Sequence, residues 1–113
     1  MPHTLVPVKQ LTLFVNSTDQ WHGQPLYSAI VRHCLDHGIA GATVVRCIEG
    51  YGSHHHLHTT RLLQLSEDLP VRIEVIDTPE KVAKLLDALD GMIDGGLTTI
   101  RDADVVKPTG ASS

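Results

Sequence analysis

The chain has 113 residues, of which 42% are hydrophobic, 19% charged and only 4% aromatic. That is the length and composition of one globular domain with an aliphatic core, too short for a second domain and too apolar for disorder. Thirteen Asp plus Glu against nine Lys plus Arg set the net charge at −4, and eight His, all protonated, would turn it to +4; neither value is the basic surface that nonspecific nucleic-acid binding requires, so a small ligand or another protein is the expected partner.

The N-terminal MPHTLVPVKQ lacks the basic start and apolar run of a secretory signal, and no stretch approaches the roughly 18 apolar residues of a membrane span. A cytoplasmic protein with no membrane insertion is expected. From Val8 to Val15, Leu11, Leu13 and Val15 alternate as on a half-buried strand. The polar NSTDQWHG follows, and Pro25 then sits where the first turn of a helix tolerates proline. Tyr27, Ile30, Val31, Cys34 and Leu35 recur at helical spacing, and Gly38 supplies the stop. β-Branched residues return from Ala42 to Ile48, a strand ended by Gly50, Tyr51 and Gly52. Another strand begins near Leu69, with Val71, Ile73 and Val75 alternating with Arg72 and Glu74 on a charged solvent face. The second helix opens at Thr78, an N-cap, followed by Pro79 and Glu80, which suits the helix dipole. Val82, Leu85, Leu86, Leu89, Met92 and Ile93 form its apolar stripe, and Gly95 and Gly96 end it. A last strand, interrupted by Asp102 and Asp104, runs from about Leu97 to Val106. Cys34 and Cys47 fall in helix and strand interiors and read as free thiols rather than a disulfide.

The order strand, helix, strand, strand, helix, strand, with right-handed crossovers, predicts an α+β, ferredoxin-like βαββαβ sandwich, two helices on one face of a four-stranded antiparallel sheet. A flavodoxin-like parallel sheet needs more than two helices to cover both faces. Residues 1–113 make a single domain, with a core of about 8–107, a long loop over 53–68 and a flexible tail over 108–113. The uncovered sheet face, carrying Val44 and Ile48, is expected to meet another subunit.

Three segments have residues suited to chemistry. The connection between Tyr51 and Leu69 is far longer than a hairpin needs, and such connections are commonly functional. It holds His54, His55, His56 and His58. On an extended chain His54, His56 and His58 share a side and could converge on Zn or Cu, although the spacing equally describes a solvated loop. The glycines of Gly50-Tyr51-Gly52 free backbone amides for a ligand, with Tyr51 able to flank a base, or simply make a turn. Gly95 and Gly96 pose the same choice between a phosphate-cradling loop and a helix cap, and on their own favour the cap. Ser53, His54 and Glu49 are the ingredients of a nucleophile, base and orienter, but no GxSxG, HExxH or CxxC accompanies them, so no enzyme is expected.

The stretches GATVVRCIEGYG, DLPVRIEVIDTPEKV and IDGGLTTIRDADVV resemble the PII signalling superfamily. Residues 8 to 107 resemble most closely its small PII-like branch, domain-of-unknown-function family 190. The resemblance implies a homotrimer that binds an adenine nucleotide in clefts between subunits. It matches Gly50, Tyr51 and Gly52 to the base of the signalling loop, Gly95 and Gly96 to the phosphate loop, and Lys107 to a basic position after the last strand. Two departures stand out: Leu97 replaces a phosphate-binding lysine, and no Tyr lies between Ser53 and Asp68 to be uridylylated. Loss of that cation implies AMP or ADP over ATP, because charge-assisted phosphate contacts are the strong ones.

The first reading is thus a nucleotide-responsive regulator that needs no cofactor and acts on a protein target such as a transporter, channel or enzyme. A divalent-metal protein of the same fold, resembling the cation tolerance proteins, is the second. A small enzyme with a histidine base is the third. With half of the histidines in one loop, pH-sensitive loop behaviour is expected.

Overall fold

Period-two alternation along four segments builds one antiparallel sheet. The computed structural model describes residues 3–47, 49–50, 58–59, 69–93 and 96–108. The elements are β1 (His3–Asn16), β2 (Gln20–Trp21), β3 (Gln24–Pro25), α1 (Leu26–Asp36), β4 (Gly41–Arg46), β5 (Glu49–Gly50), β6 (His58–Thr59), β7 (Pro70–Asp77), α2 (Pro79–Leu89) and β8 (Leu97–Pro108). The main sheet has the order β4-β7-β1-β8, every neighbour antiparallel. Both helices lie on one face, the ferredoxin-like arrangement expected.

Residues paired across a ladder share a face. Leu11, Leu13 and Val15 of β1 and Val71, Ile73 and Val75 of β7 therefore meet Ala29, Ile30 and Cys34 of α1 and Val82, Leu85 and Leu89 of α2 in one buried cluster. The opposite face carries Gln10, Arg72 and Glu74. Arg72 Nε lies 3.3 Å from Glu74 Oε1, and Gln10 Nε2 donates to Glu74 Oε2 at 3.2 Å, so this face is charged as expected. Register corrects one assignment: Val44 lies opposite Ile73 on the helix-bearing face, and its neighbour Val45, opposite Arg72, occupies the uncovered one.

Helix α1 ends in a Schellman arrangement, with Gly38 N donating to Leu35 O at 3.1 Å and Ile39 N to Cys34 O at 3.0 Å. Gly38 takes φ +66°, so glycine is the stop, as expected, and Lys81 Nζ donates to its carbonyl at 3.0 Å. The helix starts later than Pro25, which instead closes the small hairpin of β2 and β3. Thr78 caps α2 through Oγ1, accepting from Lys81 N at 3.3 Å. The stripe continues past the helix: α2 stops at Leu89, yet Met92 is buried and Ile93 packs on the core. Asp90 N donates to Asp87 O and Gly91 turns the chain at φ +88°, so the helix ends there and not at Gly96. Asp77, buried, accepts from Ala40 N at 2.7 Å and Thr78 N at 2.6 Å, tying α1's exit to α2's entry. Cys34 and Cys47 are free, as expected.

β1 and β8 exceed their expected lengths. Residues 3–8 of β1 pair with 103–108 of β8 beyond the last rung with β7, Lys9 opposite Asp77, and so form a two-stranded ribbon. No helix among the described residues is long and apolar enough to cross a membrane.

Candidate functional site

The sheet brings the ends of β1 and β4 and the starts of β7 and β8 to one rim. There Cys47 N donates to Pro70 O at 2.9 Å, joining the outgoing and returning stems of the long connection. Leu69, its last apolar residue, is held from both sides: Ser17 N donates to Leu69 O at 2.7 Å and Leu69 N donates to Ser17 Oγ at 3.0 Å. Asp19 fixes the turn behind Ser17, accepting from Asn16 N at 3.0 Å through Oδ2 and from Leu26 N at 2.8 Å through its carbonyl. Beyond this staple stands the β2–β3 hairpin, whose turn puts His22 at φ +50° and Gly23 at φ +83°. The His22 ring stacks on the Trp21 indole, centroids 4.5 Å apart and planes 15° off parallel. In the sequence this hairpin is plain polar chain, because two-residue strands have no periodicity to detect; His-Gly at a two-residue turn is its one local signal.

Gly50 is not the end of β4 but part of a separate two-residue ladder, opposite His58, with Glu49 opposite Thr59. The ladder narrows the base of the connection. Tyr51, Gly52, His54, His55 and His56 lie outside the described residues, as do Ile48 and Gly95. Of the candidate metal ligands His54, His56 and His58, the backbone of His58 alone is therefore described. Among the described residues no three His, Cys, Asp or Glu side chains gather as a metal site.

Gly96 immediately precedes β8 on the same rim. A Cβ there would lie 2.7 Å from Phe14 O, so the position is glycine because β1's backbone passes too close for any side chain. The rim does not unite all the candidate positions within one chain. β4 and β8 are the two edges of the sheet, about 14 Å apart at three strand spacings. Lys107 lies eleven residues along β8 from Gly96, about 36 Å at the usual rise. Cys34 adds no nucleophile to the described rim: burial pushes its thiol up to about 11.

The described residues thus form a ferredoxin-like sandwich with a long connection from β4 to β7 at one end, and solved structures share that fold. CPII, a nitrogen regulatory PII-like protein from Thiomonas intermedia K12 whose structure is bound to ADP, AMP and bicarbonate, matches with a TM-score of 0.69 and 21% identity, over 90% of this chain and 91% of that one. A PII-like signalling protein, TTHA0516 from Thermus thermophilus, gives 0.62 and 22%, over 94% of each chain. The divalent ion tolerance protein CutA1 from Ehrlichia chaffeensis gives 0.55 and 16%, over 93% and 84%. The chain itself belongs to the DUF190 family, described as an uncharacterized ACR, which matches residues 8–105. A UPF0166 protein of Aquifex aeolicus (strain VF5) is 34% identical over 102 residues, 90% of this chain and 96% of its own. UPF0166 protein MJ1524 of Methanocaldococcus jannaschii is 33% identical over 104 residues, 91% and 95%. The resemblance to family 190 therefore holds, and that to PII-like proteins holds for the fold.

Proposed function

We propose that this protein is a cytoplasmic PII-like regulator without chemistry of its own. It binds AMP or ADP between the subunits of a homotrimer and signals through the connection from β4 to β7 to a protein target, a transporter, channel or enzyme. The reading is supported by the common rim of the end of β4, which leads to Gly50, and the start of β8, next to Gly96, on a fold in which CPII is bound to ADP and AMP. In it Gly50, Tyr51 and Gly52 admit the nucleotide at the base of the connection, and Gly95 and Gly96 offer backbone amides to its phosphates. The 14 Å between the two sheet edges is why the cleft is assigned to two copies of the chain. Lys107, far along β8, reaches such a cleft only from a neighbouring copy. Leu97 gives the phosphates no cation, so a third phosphate adds repulsion without compensation and favours AMP and ADP over ATP.

Ligand and target would be linked: a nucleotide that prefers one arrangement of the stems shifts the connection toward it, and the target reads that shift. Calorimetric titration with AMP, ADP, ATP and cyclic AMP, beside Zn and Cu, tests this. Micromolar binding of AMP or ADP and weaker ATP is the expected result. Absence of adenine-nucleotide binding below millimolar, with stoichiometric metal binding abolished by His56→Ala, would replace the regulator with a metal-binding protein.

A further inference from the structure

Two histidines stand one turn apart at the end of α1, His33 in its last turn and His37 at its C-cap. The spacing i, i+4 puts both on one face, and the turn between them is intact, since His37 N donates to His33 O at 3.0 Å. Each ring is held by a carbonyl: His33 Nδ1 lies 3.0 Å from Ala29 O and His37 Nδ1 2.9 Å from His33 O. A carbonyl only accepts, so both Nδ1 atoms carry the proton, and in the neutral imidazole Nε2 keeps a bare lone pair. A ring N–H donated to a backbone carbonyl is the supporting contact that metal-ligating histidines make.

We propose that His33 and His37 together bind one divalent transition ion, such as zinc, through their Nε2 atoms. Among the described residues no third His, Cys, Asp or Glu side chain completes a cluster, so water fills the ion's other positions. An ion about 2.1 Å from each Nε2, at the tetrahedral angle, holds the two ring centroids about 5 Å apart. Here the rings lie 12° from parallel with centroids 6.3 Å apart, so capture of the ion turns one ring toward the other by about 1 Å. His37 is exposed and free to make that turn, while half-buried His33 stays on its carbonyl. Of the charged neighbours, Lys81 is tied to the Gly38 carbonyl, and exposed Asp36 adds a negative charge beside His37. The helix exists before the ion arrives, so the second imidazole binds as an intramolecular ligand. The site is independent of the nucleotide reading. β7 starts on the rim and ends at Asp77, which binds Ala40 N, so the exit of α1 lies roughly 23 Å from the rim, at the other end of the sheet.

Zinc titration tests the pair in a full-length chain with His54, His55, His56 and His58 changed to Gln, which leaves the long connection no imidazole. Calorimetry should give a single micromolar site, and His33→Ala or His37→Ala should each weaken it about tenfold or more. The double variant should be little worse than either single one, because a lone imidazole has no chelate to lose. Arg32→His combined with His33→Ala, which spaces the rings at i, i+5, should not restore binding. Far-UV circular dichroism checks that α1 persists in each variant. NMR of the imidazole nitrogens reads the site with the helix unaltered: zinc should move the Nε2 resonances of His33 and His37 and leave His3 and His22 in place. A loop-substituted chain that binds no zinc below millimolar, or binds it equally well after both helix substitutions, would overturn the assignment. So would zinc shifts at His3 or His22 in place of the helix pair.

Discussion

Burial and close approach set the chemistry of single residues here. Cys34 is enclosed by the core and its thiol is raised to about 11, while Cys47 sits half-buried at the loop stem. A thiol reagent at neutral pH should therefore modify Cys47 and leave Cys34 until the chain unfolds, as mass spectrometry would read. The sign of the linkage follows: the folded state keeps the Cys34 proton that the unfolded state gives up near 9. Stability is thus full below pH 9 and falls as pH rises from 9 toward 11, and Cys34→Ser should flatten that fall in denaturant titrations. Gly96 answers to sterics. Because its added Cβ meets the Phe14 carbonyl at 2.7 Å, Gly96→Ala should cost about 1–3 kcal/mol of stability, whatever the residue does for phosphate.

Elements were legible in the sequence where one physical cause dominated. Alternating Leu11, Leu13 and Val15 and the N-cap signature of Thr78-Pro79-Glu80 each named an element correctly, because burial and capping act over a few neighbouring residues. Thr78→Ala should accordingly cost about 1 kcal/mol, measurable in urea unfolding, with helix α2 fraying at its first turn. Misreadings arose where a pattern outlived its cause. Met92 and Ile93 continue the helical stripe because the core continues, although the helix does not. The ends of β1 and β8 pair with each other beyond the reach of β7, so burial leaves no alternation there to read. For the candidate site, the two glycine motifs were visible as residues, but that the end of β4, which leads to Gly50, and the start of β8, next to Gly96, stand on opposite edges of one rim is a property of strand order. No local pattern encodes it.

At the scale of the molecule, the ribbon of residues 3–8 and 103–108 is a two-stranded extension with Leu5 and Val106 uncovered opposite each other. Two strands alone are marginal in water, so a neighbouring copy should contribute to their order. The melting temperature should then rise with protein concentration, and calorimetric scans over a hundredfold range would detect it. A concentration-independent transition would mean that the single chain carries its full stability. The staple between Ser17 and Leu69 has a consequence of another kind. It connects the returning stem of the long connection, through Asp19, to the hairpin bearing Trp21, the sole tryptophan of the chain. Any displacement of that stem must disturb the stack of imidazole on indole, so the protein has its own optical gauge. Intrinsic emission, with no dye attached, should report when the connection changes state.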